Sequence, residues 1–334
     1  MPSLRDVARE LNVSVSLVSK VLNDRLGTTG VRPGLTEQIR ETARKMGYRK
    51  NFSAISLLAR RQNALAVFVH SHGAQGSGLV EKMLDGISQA TATRSQRISL
   101  EFFLDAGEFR AKRQNLHSGQ IDGLIVSGVG HPELLDDFLE IQETEVPIIT
   151  VYNHPIHRKI PNIGIPHAAL SEAATTHLVE RGCRKIAHFA VNEERAAGHR
   201  RALRKAGLPF RKDLLIELEA PEGFRAPGGR AAASELLKRN VPFDGISAQS
   251  DTQAATALHE LIRRGIRIPQ DVKIIGIDNA PFDDLCYVPL SSVSQRFVER
   301  GRLAVEIMNR ILDGEKPGSI NLAPTIHPRA STKV

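Results

Sequence analysis

Tryptophan is missing from this 334-residue chain, and cysteine nearly so, with only Cys183 and Cys286. Two cysteines without a CxxC or CxxH spacing make neither a disulfide framework nor a zinc finger. They read as reduced thiols, and a cytoplasmic protein is expected. No apolar run approaches the roughly 20 residues that span a bilayer. The opening MPSLRDVARE has no apolar signal-peptide core, so no membrane partner is expected. Gly73, Gly76 and Gly78 lack the G-K-[ST] that completes a phosphate-binding loop. His70/His72 and His154/His157 have no neighbouring cysteine or carboxylate cluster to complete a metal site. Neither a serine-nucleophile motif nor a coherent acid–base set is visible. Cofactor, metal and enzymatic turnover are therefore not expected. The final residues carry no leucine heptads, so a coiled-coil tetramer is not indicated.

What is present is an ordinary globular composition, 41% hydrophobic and 25% charged, in a chain long enough for two or three domains. The net charge of +8 is unevenly spread. Residues 1–61 hold 12 basic and 5 acidic side chains, and the remaining 273 hold 33 and 32. A basic head on a nearly neutral body is the footprint of a module that binds a polyanion, or else a solvated basic surface.

The head reads as three short helices. Ser3 and Asp6 form an S-x-x-D capping box, and Val7, Ala8 and Leu11 follow on one face. Asn12 suits the left-handed corner of a tight turn, and Ser14 is a good N-cap for a second helix. In that helix Val18, Val21 and Leu22 face inward, leaving Val15, Ser16, Ser19, Lys20 and Asn23 for the outer side. A third helix is predicted from about Pro33, in its first turn, to Gly47, with Ile39, Ala43 and Met46 as its apolar stripe. This is the pattern of a helix-turn-helix unit. Its second helix would enter the major groove, with Ser14, Ser19 and the leading amides on phosphates and Val15, Ser16 and Lys20 at base edges. A helical cap unrelated to DNA is the alternative.

The run LRDVARELNVSVSLVSKVLN resembles the head of the LacI/GalR family of bacterial transcription regulators. Asp6-Val7-Ala8, Val13-Ser14, Val18-Ser19 and Val21-Leu22-Asn23 match that family's pattern. Asn12, Leu17 and Lys20 stand for its usual Gly, Thr and Arg. Lys20 keeps the charge but not the bidentate fork that suits guanine. Gly47-Tyr48-Arg49-Lys50-Asn51 with Ala54 and Leu57 resembles the family's hinge helix, although Lys50 replaces the usual Pro. The resemblance implies that Asn51, Ala54 and Leu57 also contact DNA, with Leu57 as an apolar wedge in the minor groove.

From Leu65 onward strands alternate with helices. Strands are predicted at 65–69, 98–104, 123–127, 147–151, 186–191, 214–219, 245–248 and 272–277, and helices at 79–90, 132–143, 168–181 and 252–264. This rhythm predicts parallel sheets in an α/β body. A break near 153–163 divides the strands between two lobes with a cleft. The expected organisation is a helix-turn-helix domain over 1–50, a hinge helix or linker over 51–62, and a core for effector binding and dimerisation over 63–334. Its lobe 1 is expected at about 63–160 plus 296–322, and its lobe 2 at about 161–292 plus 323–334.

The body resembles the family's two-lobed, periplasmic-binding-protein-like core. The matching stretches are Asp122–Val126, His177-Leu178 with Arg181-Gly182, Gly276–Asn279, and Pro289–Gln295 with Gly301 and Ala304. The resemblance implies an effector cleft containing Tyr152, Arg195, Ser250, Asp278 and Phe297. Arg195 and Asp278 could share vicinal hydroxyls, or could only hold the lobes together. Tyr152, Pro166 and the Ser250-Asp251 pair depart from the acidic and Asn-Asp residues usual in sugar-responsive members. With no tryptophan to stack on a sugar, a non-sugar ligand and a degenerate cleft both stay open. The expectation is a ligand-responsive repressor that binds a palindromic operator DNA as a homodimer, with a sugar or related small metabolite as effector. A solute-binding protein whose body only binds ligand is the alternative, and an enzyme built on the α/β body is a third reading.

Overall fold

The computed structural model describes residues 2–23, 26, 30–48, 61–71, 78–114, 120–219, 223 and 225–333. The chain divides into two compact units, Met1–Gln62 and Asn63–Val334.

In the first unit, helix α1 (Leu4–Glu10) opens on the expected capping box. The Asp6 amide donates to Ser3 Oγ, and the Ser3 amide donates to Asp6 Oδ2 at 2.8 Å. Asn12 takes φ 51° at the turn, the left-handed conformation that Asn tolerates. Helix α2 (Val15–Leu22) follows, capped by Ser14. Helix α3 (Leu35–Lys45) starts later than the sequence suggests. Gly34 sits at φ 81°, outside the helical region, so Pro33 precedes the helix and does not form its first turn. Val7, Ala8, Val18, Val21, Ile39 and Ala43 are buried together as one small core.

The second unit contains two sheets. The first has order β2-β1-β3-β4, all parallel, from β1 (Ala64–His70), β2 (Arg97–Phe103), β3 (Gly123–Ser127) and β4 (Ile148–Val151). Leu65, Val67 and Val69 of β1 face one apolar layer, and Ala66 and Phe68 face the other. Burial on both faces is what a parallel sheet covered by helices requires. The covering helices on one side are α4 (Leu79–Ala92) and, from much later in the chain, α11 (Phe297–Leu312). On the other side lie α5 (Ala106–Arg113) and α6 (Leu135–Thr144).

The second sheet has order β12-β10-β9-β8-β6-β7. Its strands are β6 (Ile186–Ala190), β7 (Leu215–Glu217), β8 (Gly245–Ser247), β9 (Lys273–Ile277), β10 (Ser291–Ser294) and β12 (Thr325–His327). Only the β10–β12 pairing is antiparallel among these. Helices α7 (His167–Glu180) and α8 (Glu193–Lys205) contribute to one apolar layer, and α9 (Ala226–Lys238) and α10 (Asp251–Arg263) to the other. A short parallel pair, β5 (Ile163–Gly164) with β11 (Ile320–Asn321), lies where the chain passes between the sheets. Five strands are shorter than predicted: β4 and β9 start a residue late, β6 and β8 end a residue early, and β7 yields Leu214 to a 3-10 turn and stops at Glu217. Helices α5, α8 and α9 lie between strands, where the alternating rhythm expects helices, and they and α11 had no predicted range.

Candidate nucleic-acid interface and effector cleft

Helix α2 is built to show one face. Ser14 adopts an extended backbone, φ −71° and ψ 142°, and its Oγ accepts from the Leu17 amide at 3.1 Å. Val18 and Val21 are fully buried, and Leu17 is half-buried against the same core. That anchoring leaves Ser14, Val15, Ser16 and Lys20 exposed along the other side. Val15 is 40% exposed although apolar, the exposure expected of a residue that meets a partner such as a thymine methyl. Ser19 and Asn23 are half-buried and interact with each other, Asn23 Nδ2 lying 3.4 Å from Ser19 Oγ. The structure therefore brings the six candidates of this helix onto one continuous stretch. Asn51, Ala54 and Leu57 lie outside the described residues.

In the body, the structure draws some of the effector candidates together and separates others. Arg195 sits in the first turn of α8 and is buried. Its Nη1 donates to the Gln249 carbonyl, and its Nε lies 3.2 Å from His167 Nδ1. Asp278, just past β9, takes φ 128° and accepts from Gln295 Nε2 at 2.6 Å. Burial, then the charge of Asp251, pushes its carboxyl up to about 7, against a pull downward from Arg195. Arg195 and Asp278 are thus near enough for each charge to act on the other.

The remaining three have other partners. Tyr152 is buried in the layer made by Phe68, Phe109 and Phe138, with its hydroxyl unbonded and burial raising its pKa. Ser250 caps α10, its Oγ accepting from the Gln253 amide at 3.1 Å. The adjacent Asp251 accepts from Ser292 Oγ at 2.6 Å and from the Ala280 amide at 2.8 Å, a bracing role that explains the Ser-Asp pair at this turn. Phe297 opens α11 and is half-buried, with the Arg300 guanidinium 5.0 Å from its ring centre.

Arg300, His167 and Gln295, which sequence reasoning did not place in the cleft, contact its candidate residues, and Asn153, likewise not placed there, contacts Gln295. Arg300 is only 1% exposed. The signal was available: positions 297, 300, 301, 304 and 308 share the inward face of a helix, and an arginine on that stripe is conspicuous. Asn153 Nδ2 donates to Gln295 Oε1 at 3.1 Å and to the Ile165 carbonyl at 2.8 Å. Lys82 of α4 donates to the Asn279 carbonyl, and His154 Nε2 lies 2.6 Å from Glu194 Oε2. These contacts join elements of the two sheets. A groove of about 560 Å³ between Gly78–Asp85 and Pro281–Leu285 is lined by none of the five effector candidates. Among the described residues, no cluster of three or more His, Cys, Asp or Glu could hold a metal. No described helix is long and apolar enough to cross a membrane.

A capped helix-turn-helix head followed by a two-sheet body with a polar, charged seam defines a ligand-sensing DNA-binding regulator. The comparisons agree. Residues 175–332 match the periplasmic binding protein-like domain. The chain is 26% identical over 345 residues to catabolite control protein A of Priestia megaterium, covering 99% of each. It is 26% identical to the transcriptional regulator CelR of Thermobifida fusca, covering 98% of this chain and 96% of CelR. A solved CelR–cellobiose complex superposes with a TM-score of 0.71 at 25% identity, covering 99% of this chain and 100% of that one. The lac repressor dimer bound to operator and an anti-inducer shares the fold, with a TM-score of 0.79 at 19% identity over 100% and 99% of the two chains. Over nearly the whole of its length the chain is thus similar to proteins named as transcription regulators.

Proposed function

We propose that this protein is a cytoplasmic, ligand-responsive repressor that reads a palindromic operator as a homodimer, with α2 of each subunit in the major groove. The observation that carries the reading is the division of α2: Val18 and Val21 anchor it, while Val15, Ser16 and Lys20 stand exposed in a basic head. The reading also assigns DNA contact to Asn51, Ala54 and Leu57, with Leu57 as the minor-groove wedge. The core takes the effector, a sugar or related metabolite, at Arg195, Asp278 and Phe297. The relatives include a cellobiose-bound regulator and an operator-bound dimer, which supports this assignment. No catalytic set or cofactor is assigned.

A dimer surface is supported by exposed apolar residues on the body. Ile98 and Leu100 project from edge strand β2, and Leu104 follows it. Leu285 and Tyr287 are 84% and 86% exposed. An uncovered edge with large apolar side chains invites a partner. A second copy of the chain would also supply the second α2 that an inverted repeat requires.

The test is selection of bound duplexes from a random pool with the full chain. Recovery of an inverted repeat with a fixed half-site spacing is expected. Enrichment of unrelated sequences, or none, overturns the reading.

A further inference from the structure

We propose that the effector carries an oxyanion, a phosphate ester or a carboxylate, and that Arg300 is the residue that receives it. This rests on the regulator reading above and names the chemical class of its ligand. The starting observation is an imbalance of charge. Arg300 Nε donates to the Ile163 carbonyl at 3.2 Å, and its guanidinium lies over the Phe297 ring. Its Nη1 is buried and has no hydrogen-bond partner. It forms no ion pair among the described residues. One carbonyl and one aromatic face are thin compensation for a guanidinium taken out of water, because the desolvation of a buried cation exceeds what a single neutral hydrogen bond returns.

The surroundings add positive charge. His167, the first residue of α7, feels the charges of Arg195, His154 and Arg300. The N-cap of α7 is Pro166, which offers no side-chain acceptor to the leading amides, so the positive end of a 14-residue helix lies in the same neighbourhood. Burial, then these cations, drive the His167 imidazole down to about 3, so it is neutral in the cell. The carboxylates nearby are otherwise engaged: Asp278 with Gln295 and Glu194 with His154. A planar guanidinium with an unmet N–H matches a phosphate or carboxylate, which can accept two parallel bonds from such a fork. Neutral His167 could add a donor to the same oxyanion, and the Phe297 ring supplies an apolar wall for the carbon skeleton.

The experiment compares the full chain with Arg300→Met, a change that keeps the volume and removes the charge. Melting is followed in inorganic phosphate, glucose 6-phosphate, gluconate and glucose against sodium chloride at equal ionic strength. Any rise shared by both chains is the general salt effect. A further rise in wild type only, with inorganic phosphate or with either organic anion, is expected, and glucose should give none. Glucose 6-phosphate and gluconate separate a phosphate ester from a carboxylate. In chloride, Arg300→Met should melt at or above wild type, since a buried cation has been relieved. A lower melting temperature would make Arg300 a structural post and overturn the proposal, as would an anion response retained in Arg300→Met. If Arg300→Met fails to fold, Arg300→Lys is used: it keeps the charge without the fork, and a wild-type anion response undiminished in it overturns the proposal. Operator binding is measured in parallel. A neutral sugar that releases operator from both chains while no anion acts would sink the subsite and leave the regulator standing. A wild-type-only anion response in a chain that retains no duplex would do the reverse.

Discussion

Gln295 and Asp278 are joined by a 2.6 Å hydrogen bond, and the same glutamine accepts from Asn153 at 3.1 Å. Three segments meet there: the exit of β4, the exit of β9 and the exit of β10. Gln295 is buried, so replacing it with Leu leaves Asp278 and Asn153 each short of a partner. Gln295→Leu should destabilise the body by about 1–3 kcal/mol. It should also weaken the link between effector and operator. Urea melts, and operator titrations with and without effector, measure the two effects.

Ser14 caps the helix assigned to the groove. Ser14→Ala should cost about 1 kcal/mol of local stability. Amide exchange at Leu17, whose N–H bonds Ser14 Oγ, should accelerate while exchange in the body stays unchanged. Uniform acceleration across the chain would contradict the local role.

Lys20→Ala separates base reading from backbone contact. A loss of about 1–3 kcal/mol on the selected operator with little change on random duplex is expected if Lys20 reads a base. Equal losses on both, with a shallower salt dependence, mark a phosphate contact.

Two glycines set how closely helices approach. A Cβ on Gly86 of α4 would lie 1.8 Å from the Val298 carbonyl oxygen of α11, and one on Gly198 of α8 would lie 2.1 Å from the Ala168 carbonyl oxygen of α7. Backbone oxygens inside helices cannot swing aside, so the helices must part. Gly86→Ala and Gly198→Ala should each cost about 1–3 kcal/mol, read as a lower urea midpoint.

The buried carboxyl of Asp278 makes stability depend on pH in a known direction. Its folded pKa is raised from 3.8 to about 7, so between these values the folded state holds a proton that the unfolded chain has lost. Its contribution is full below pH 3.8 and disappears as pH rises through 7. Buried neutral His167, His177 and His199, lowered to about 3, 4 and 3, act oppositely and favour the folded state less as pH falls below 6.5. Asp278→Asn isolates the first effect. Relative to wild type it should gain stability steadily from pH 4 to pH 7 and then level off, as followed by denaturant melts across that range.

Much of this architecture was legible because it follows local rules. Ser3, Asn12 and Ser14 announce caps and a corner through their own side chains, and the continuous apolar run at Leu65–Val69 announces a strand buried on both faces. Helices α8 and α9 were illegible for the opposite reason. Their apolar stripes are short and rich in alanine and glycine, such as Ala196, Gly198 and Ala202 or Gly228, Gly229, Ala232 and Ala233. They pack by close approach, which periodicity of large side chains does not reveal. Pro33 misled because Gly34 interrupts the helical backbone just after it. In the cleft, the resemblance pointed to Arg195 and Asp278, but not to the burial of Tyr152 or to the packing of Arg300 over the Phe297 ring. Such placements depend on what the far end of the chain, α11, brings back onto the first sheet.

The strand that receives the chain from the linker, β1, lies inside its sheet, bonded to β2 on one side and β3 on the other. A tether fixed at an outer strand would yield by peeling one ladder at a time. Fixed here, it can be released only by shearing two ladders at once.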